Sequence, residues 1–390
     1  MMKRRIWKLL CCLLLMLSIL PIGIVTPSAS RTNKEFVFAM SHCTGLDVDL
    51  AYDSLPCAAT LRGAATYSAV LGADADDLRD LMLCPGGMPF GVKFYTDGVT
   101  VVGFCDIDTG KGSVNPATRA GLHTKDVILK INGEALSGAA DMTERIAASG
   151  GKPLRLTCRR GGKEFETTLT PVLSSAEGQY KTGIWVRDSG AGIGTVTFLF
   201  PDSGAFAGLG HGICDADTGA LVGMRKGSVS DVTISSVVKG AAGAPGELKG
   251  HFNPGRSGAL LGNSACGVWG VFSEVPETVN EPMPVGLRED LHEGDAYILC
   301  TASSEEMQKY DIRISNIKRD AKGSKCFTVT VTDPDLIALT GGIVQGMSGS
   351  PIIQDGKLVG AVTHVLINDP TTGYGIFLEN MLANMPVLAR

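Results

Sequence analysis

The chain has 390 residues, more than a single hydrophobic core organises, so two or three domains are expected. Hydrophobic residues make up 44% and charged residues 19%, which excludes an intrinsically disordered chain. The net charge of -5, with no basic stripe, argues against nucleic acid as a partner.

The N-terminus carries Lys3, Arg4, Arg5 and Lys8, then an apolar run from Leu9 to Leu20, then Pro21 and the small residues Ser28, Ala29 and Ser30. A basic flank, a short apolar core and small residues make an export signal of residues 1–30. Leu9 to Val25 is nearly long enough to act instead as a membrane anchor. Removing residues 1–30 takes away four positive charges and no negative ones, moving the net charge from -5 to -9. Residues 31–88 are poorly patterned; a helix is expected around Ala75 to Cys84, broken by Pro85, Gly86 and Gly87. Of 11 cysteines, Cys11 and Cys12 fall in the signal, and the other nine show neither C-x-x-C pairs nor zinc-like histidine spacing. They read as small buried apolar side chains, and no metal or organic cofactor is implied.

From Gly91 the sequence turns to strands: VKF, then VTVVGFCDI at 99–107. PATRAGLHTKDVILKINGEAL follows at 116–136, then the helical ADMTERIAAS and the strands LRLTCRR and EFETTLTPV. Ala117, Ala120 and Leu122 would pack a short helix on a sheet, and Asn132-Gly133 would turn a hairpin. This run resembles the core signature of PDZ domains of the bacterial protease-associated kind, over residues 89–173. The resemblance implies an α+β domain that binds peptide C-termini, or an extended peptide, as an added strand. The amide-donating loop would then be Pro89-Phe90-Gly91-Val92.

After a linker-like stretch, Leu173 to Lys181, the segments GIGTVTFLF, AYILCT, FTVTVTD and LVGAVTHVLI give residues 182–390 an all-β character, with a final helix near Phe377 to Asn384. Within it, Gly346-x-Ser348-Gly349-x-Pro351 resembles the nucleophile loop of chymotrypsin-like peptidases, whose fold is a double β-barrel. A turn aiming successive N–H groups at one oxygen needs glycine, so Gly346 and Ser348 are the expected oxyanion donors. Ser350 is the competing hydroxyl, at a packing position. Serine needs a base. His211, in the glycine-flanked loop FAGLGHGICD, is the best placed of six histidines; His251 and His292 remain open. His364, on the strand after the nucleophile hairpin, is expected either in the sheet or in a specificity pocket. Nine aspartates lie between His211 and Ser348. Asp333, at a strand-to-turn corner before Pro334, is slightly favoured over Asp335 as the group that orients the histidine.

The segment TDPDLIALTGGIVQGMSGSPIIQDGKLVGAVTHVLINDPTTGYGIFLENML, together with AGLGHGICD, resembles the stage IV sporulation protein B family. The resemblance implies a catalytic His211, Asp333 and Ser348, although Asp333 stands only 15 residues before Ser348, far later than in ordinary chymotrypsin-like enzymes. It also implies export across the forespore membrane, self-processing, and cleavage of a membrane-tethered regulator of an intramembrane metalloprotease, which triggers a late mother-cell sigma factor. Two alternatives stand beside it: a general envelope quality-control protease, disfavoured because the PDZ domain comes first, and a catalytically silent PDZ adaptor.

Overall fold

The computed structural model describes residues 78–385 apart from 202, 216–218, 220, 254–256, 277–279 and 304–305. The expected export signal, residues 1–30, and residues 31–77 lie outside the described residues. Among the described residues no helix is long and apolar enough to cross a membrane. Of the helix expected at Ala75 to Cys84, Leu78 and Arg79 are helical, but β1 (Met82–Pro85) is a strand. Leu83 is fully buried and Cys84 pairs with Leu199, so tertiary pairing overrides the local preference.

β2 (Pro89–Phe104) is one long strand with two employments. Its first half, 89–96, pairs on one side with β6 (Ile184–Leu199) and on the other with β8 (Met224–Val238). Its second half pairs with the start of β6 and with β3 (Val127–Ile131). The change of partner occurs at Gly98, whose φ of 77° and closeness to the Ile128 carbonyl admit no side chain.

The second half of β2 belongs to a PDZ-like sheet with β3, β4 (Leu154–Arg160), β5 (Lys163–Leu169) and residues 184–187 of β6. Val99, Val101, Ile128, Leu154 and Leu156 alternate inward against Ala117, Met142 and Ile146 of the two helices. Helix α1 (Pro116–Arg119) starts as its sequence dictates: the Asn115 side chain accepts from the Thr118 N–H at 3.1 Å, and Pro116 occupies the first turn. Helix α2 (Ala139–Ala148) is held at its start by Asp188, which accepts from the Ala139 N–H at 2.8 Å. Asp126, fully buried, accepts two bonds of 2.6 Å from Arg160 and one of 2.8 Å from the His123 N–H.

Two β-barrels follow. In the first, β2, β6, β7 (Ala205–Gly208), β11 (Gly267–Phe272), β10 (Gly258–Ser264) and β8 pair in a ring that returns to β2, and β9 (Glu247–Phe252) extends β8. Phe90, Phe206 and Phe272 fill its interior. The second is a closed barrel of β12 (Gly294–Cys300), β13 (Gln308–Ser315), β14 (Phe327–Val331), β17 (Asp369–Phe377), β16 (Lys357–Leu366) and β15 (Pro351–Gln354). Helix α3 (Pro334–Thr340) leads into the nucleophile loop, and α4 (Leu378–Ala383) follows β17.

This connectivity corrects the expected division at residue 89. Residues 89–96 are barrel, and the PDZ-like sheet takes its last strand from 184–187, so β2 and β6 both run through the two units. The expected linker, Leu173 to Lys181, is folded as a small hairpin pairing Leu173 with Tyr180. The cysteines correct in part: Cys84, Cys158, Cys266, Cys300 and Cys326 are buried, but Cys105 and Cys214 are exposed. Burial pushes the Cys158 and Cys300 thiols up to about 12, which keeps them protonated.

Replacing Asp126 by Ala leaves the His123 N–H and one face of Arg160 without an acceptor. Asp126→Ala is expected to lower the unfolding free energy by about 1–3 kcal/mol, read as a lower urea midpoint at unchanged slope.

Candidate active site

The nucleophile loop is built by pinning its carbonyl groups. Helix α3 closes at Gly341 in the left-handed conformation, and the chain enters β15 ten residues later at Pro351. The Gln345 carbonyl accepts from the Leu248 N–H at 2.8 Å. The Met347 carbonyl accepts from both the N–H (3.0 Å) and the hydroxyl (2.7 Å) of Ser350. A trans peptide points its N–H opposite to its carbonyl. The N–H groups of Gly346 and Ser348 are thereby turned the other way, and no hydrogen bond among the described residues takes either. These are the two donors the sequence proposed for an oxyanion hole. Ser350, fully buried, serves the loop rather than the solvent. Gly346 and Gly349 have φ of 100° and 97°, and a Cβ on Gly349 would stand 2.0 Å from the Thr195 carbonyl.

Ser348 is half-buried, and its hydroxyl donates to the Thr363 carbonyl on β16 at 2.6 Å. The neighbouring residue on that strand, His364, has its ring centroid 4.8 Å from that of His211, tilted by 38°. Ser348 and His211 therefore each contact one of two consecutive residues of β16, Thr363 and His364. His211 reaches this point because Leu209 and Gly210 adopt successive left-handed conformations after β7. Asn263 braces the far side of the turn: its Oδ1 accepts from the Ile213 N–H at 2.8 Å, and its Nδ2 donates to the Ile213 and Val222 carbonyls.

The His211 Nδ1 donates to the Gly212 carbonyl at 2.9 Å, which leaves Nε2 as the lone-pair nitrogen. Burial holds the His211 pKa below its ordinary value, opposed in part by the bond to Gly212. His364 is pushed down to about 4, by burial first, then by His211 and Lys325, and its buried Nδ1 has no partner among the described residues. His364 is thus a neutral ring against the face of His211. The other candidate histidines lie elsewhere: His251 pairs with Thr233 in β9, and exposed His292 bonds Asp355 at 2.7 Å.

Asp333 is not brought to His211. Its Oδ1 accepts from the N–H groups of Asp335 (3.0 Å) and Leu336 (2.9 Å), and its Oδ2 from the Asp311 N–H (3.2 Å), so it is the N-cap of α3. His364 stands level with Tyr374, and Tyr374 with Thr328. Asp333 is five residues beyond Thr328, roughly 16 Å along the strand direction. Asp335 is exposed in the first turn of the same helix. Neither carboxylate has a hydrogen bond or ion pair to His211 among the described residues, and the Nδ1 partner is the Gly212 main chain. Asp-Pro-Asp is a helix-start pattern, the signal that could have separated capping from catalysis.

Phe90, Gly91 and Val92 are also elsewhere. They lie inside β2 with both edges paired, Gly91 between Ile193 and Ser230, and Phe90 and Val92 buried, so their amides are not free for a peptide carboxylate. The open edge is residues 184–187 of β6. They pair with β2 on one side, carry no partner strand on the other among the described residues, and follow the Thr182-Gly183 turn beside α2. The sequence reads as a linker from Leu173 to Lys181 and resumes as strand at GIGTVTFLF, so this edge is not identified from sequence. A cavity of about 580 Å³, lined by Arg159, Arg187, Cys214, Asp215 and Leu221, opens beside the base loop.

The family described as SpoIVB peptidase S55 matches residues 178–382, more than half the chain. The chain belongs to that family. That family is described as one of peptidases. A curated relative, "Probable protease eep" of Enterococcus faecalis (strain ATCC 700802 / V583), is 34% identical over 98 residues, 24% of this chain and 22% of that protein's length. Among solved structures, the active form of the Rv3671c protease from M. tuberculosis is similar at 16% identity and a TM-score of 0.28, over 49% of this chain and 71% of that one. The PDZ domain of the SdrC-like protein Lmo2051 from Listeria monocytogenes is similar at 22% identity and a TM-score of 0.20, over 23% of this chain and 87% of that one.

Two outcomes follow from this geometry. Asn caps a helix about as well as Asp, so Asp333→Asn is expected to keep peptidase activity within about threefold, and Asp333→Ala to cost about 1 kcal/mol of stability. A carboxylate acting on the base would instead lose about 10⁴-fold in kcat on the Asn change. Since only neutral His211 accepts a proton and burial lowers its pKa, the acid limb of the kcat/KM profile is expected to have its midpoint below 6.5, measured between pH 4 and 8.

Proposed function

We propose that this chain is an exported serine endopeptidase of sporulation in which Ser348 is the nucleophile and His211 the general base. The observation that carries the proposal is the convergence of Ser348 and His211 on Thr363 and His364, beside two unengaged N–H groups. The Ser348 hydroxyl leaves the Thr363 carbonyl, gives its proton to the His211 Nε2, and attacks a substrate carbonyl. The Gly346 and Ser348 N–H groups take the developing negative charge, each such donor being worth roughly 3 kcal/mol. The Gly212 carbonyl holds the imidazole in its working tautomer and receives the Nδ1 proton's charge when Nε2 is protonated. His211 then protonates the leaving amine, and water releases the acyl group. A positioned base contributes about 10²–10⁴-fold.

Peptide is bound as an added strand on residues 184–187 of β6, with α2 as the other wall of the groove. The family description and the basic, apolar N-terminal run of residues 1–30 support export from the forespore. In that space the enzyme processes its own N-terminal region and clips a membrane-tethered regulator of an intramembrane metalloprotease. The test uses residues 31–390 as wild type and as Ser348→Ala, followed by gel and intact mass. The wild type is expected to trim its N-terminal region while the variant stays whole. Equal trimming of both would remove Ser348 from the reaction; two intact proteins, inert on an unfolded substrate, would favour the silent adaptor.

A further inference from the structure

Thr195 lies on β6 where the strand passes from pairing with β2 to pairing with β7, and it is 1% exposed. Every polar group it owns is directed at a catalytic loop. Its hydroxyl donates to the Gly346 carbonyl at 2.8 Å, and its N–H donates to the Ser348 carbonyl at 2.9 Å. Its own carbonyl accepts from the Leu209 N–H at 3.2 Å, at the start of the turn that carries His211. The Gly346 carbonyl closes the peptide that follows one oxyanion donor, and the Ser348 carbonyl closes the peptide that follows the other.

The neighbouring peptides are held by Leu248 and Ser350, so four consecutive carbonyls, Gln345 to Ser348, are fixed, two of them by Thr195. The contact is also steric, because Gly349 lacks the Cβ that would strike the Thr195 carbonyl. Thr197, two residues on and fully buried, makes a bond of the same kind, but to the Gly349 carbonyl at 2.8 Å, beyond both oxyanion donors.

We infer that Thr195 is a positioning residue for both halves of the active site. Its hydroxyl fixes the peptide between the two oxyanion donors, whose own N–H groups are aimed by the bonds to the Gln345 and Met347 carbonyls, and its main chain locks the nucleophile loop to the turn bearing His211. The β-branched side chain contributes by restricting the rotamer in which the hydroxyl meets Gly346. This role rests on the peptidase reading above and adds a residue to it.

The test compares Thr195→Val, Thr195→Ser and Thr197→Val in the chain from residue 31, using the second-order rate of labelling by a fluorescent fluorophosphonate and kcat and KM on an unfolded casein. Thr195→Val is expected to lower the labelling rate and kcat about 10- to 100-fold, with KM and the acid limb of the pH profile unchanged. Thr195→Ser restores both to within about threefold, and Thr197→Val, which loses a more deeply buried bond of the same kind, stays within about threefold of wild type. A general loss of stability would instead lower both valine variants in step with their melting temperatures. Should Thr195→Val fail to fold, Thr195→Ala against Thr195→Ser is read in the same way. Thr195→Val labelling within twofold of wild type, or Thr197→Val falling as far, overturns the role while leaving the peptidase reading intact. A wild type that does not label overturns both.

Discussion

A peptide unit is planar, so a carbonyl that is tied down decides where the adjoining N–H points. From Gln345 to Gly349 this chain ties down five carbonyls in succession, through Leu248, Thr195, Ser350, Thr195 again and Thr197. Only two of those donations come from the loop itself, both from Ser350; the rest come from β6 and β9 of the first barrel. A serine on one barrel thus acquires its anion-binding geometry from strands of the other. The glycine at 349 is needed because the two barrels approach here to backbone distance, and the one at 346 because its φ of 100° disfavours any side chain.

β6 also explains how the PDZ-like sheet relates to the catalytic unit. Residues 184–187 provide its open edge, residues 189–195 pair into the first barrel, and Thr195 and Thr197 reach the nucleophile loop. These stations lie on one strand, continuous over sixteen residues. Polar chemistry at the centre is sparse. Neither His211 nor His364 has a carboxylate partner among the described residues, and burial keeps both rings toward the neutral form. A base of that kind is set by main-chain hydrogen bonding and ring packing rather than by an ion pair.

Much of this was legible in the sequence because it rests on local pattern. The strands 154–160 and 327–331, helix α2 and the glycine-framed Ser348 and His211 all follow from alternation, turn chemistry and backbone sterics. Asp333 is ambiguous in sequence because a carboxylate before a proline suits both an N-cap and a triad, and the hydrogen bonds to Asp335 and Leu336 show the cap. Phe90 to Val92 misled because an apolar strand reads alike whether its edges are open or paired. Thr195, Asn263 and the Gly212 carbonyl left no trace, since their roles depend on contacts 151, 50 and one residue away that no spacing encodes.

The central claim is that Ser348 is made nucleophilic by His211 within a preformed anion site. Its most direct test is to treat the folded chain with a fluorophosphonate and map the adduct by peptide mass, in wild type and in His211→Ala. A single adduct on Ser348 in the wild type, lost or slowed at least about a hundredfold in His211→Ala, is the predicted result. An adduct on another serine, or labelling of Ser348 at the same rate without His211, would contradict the account.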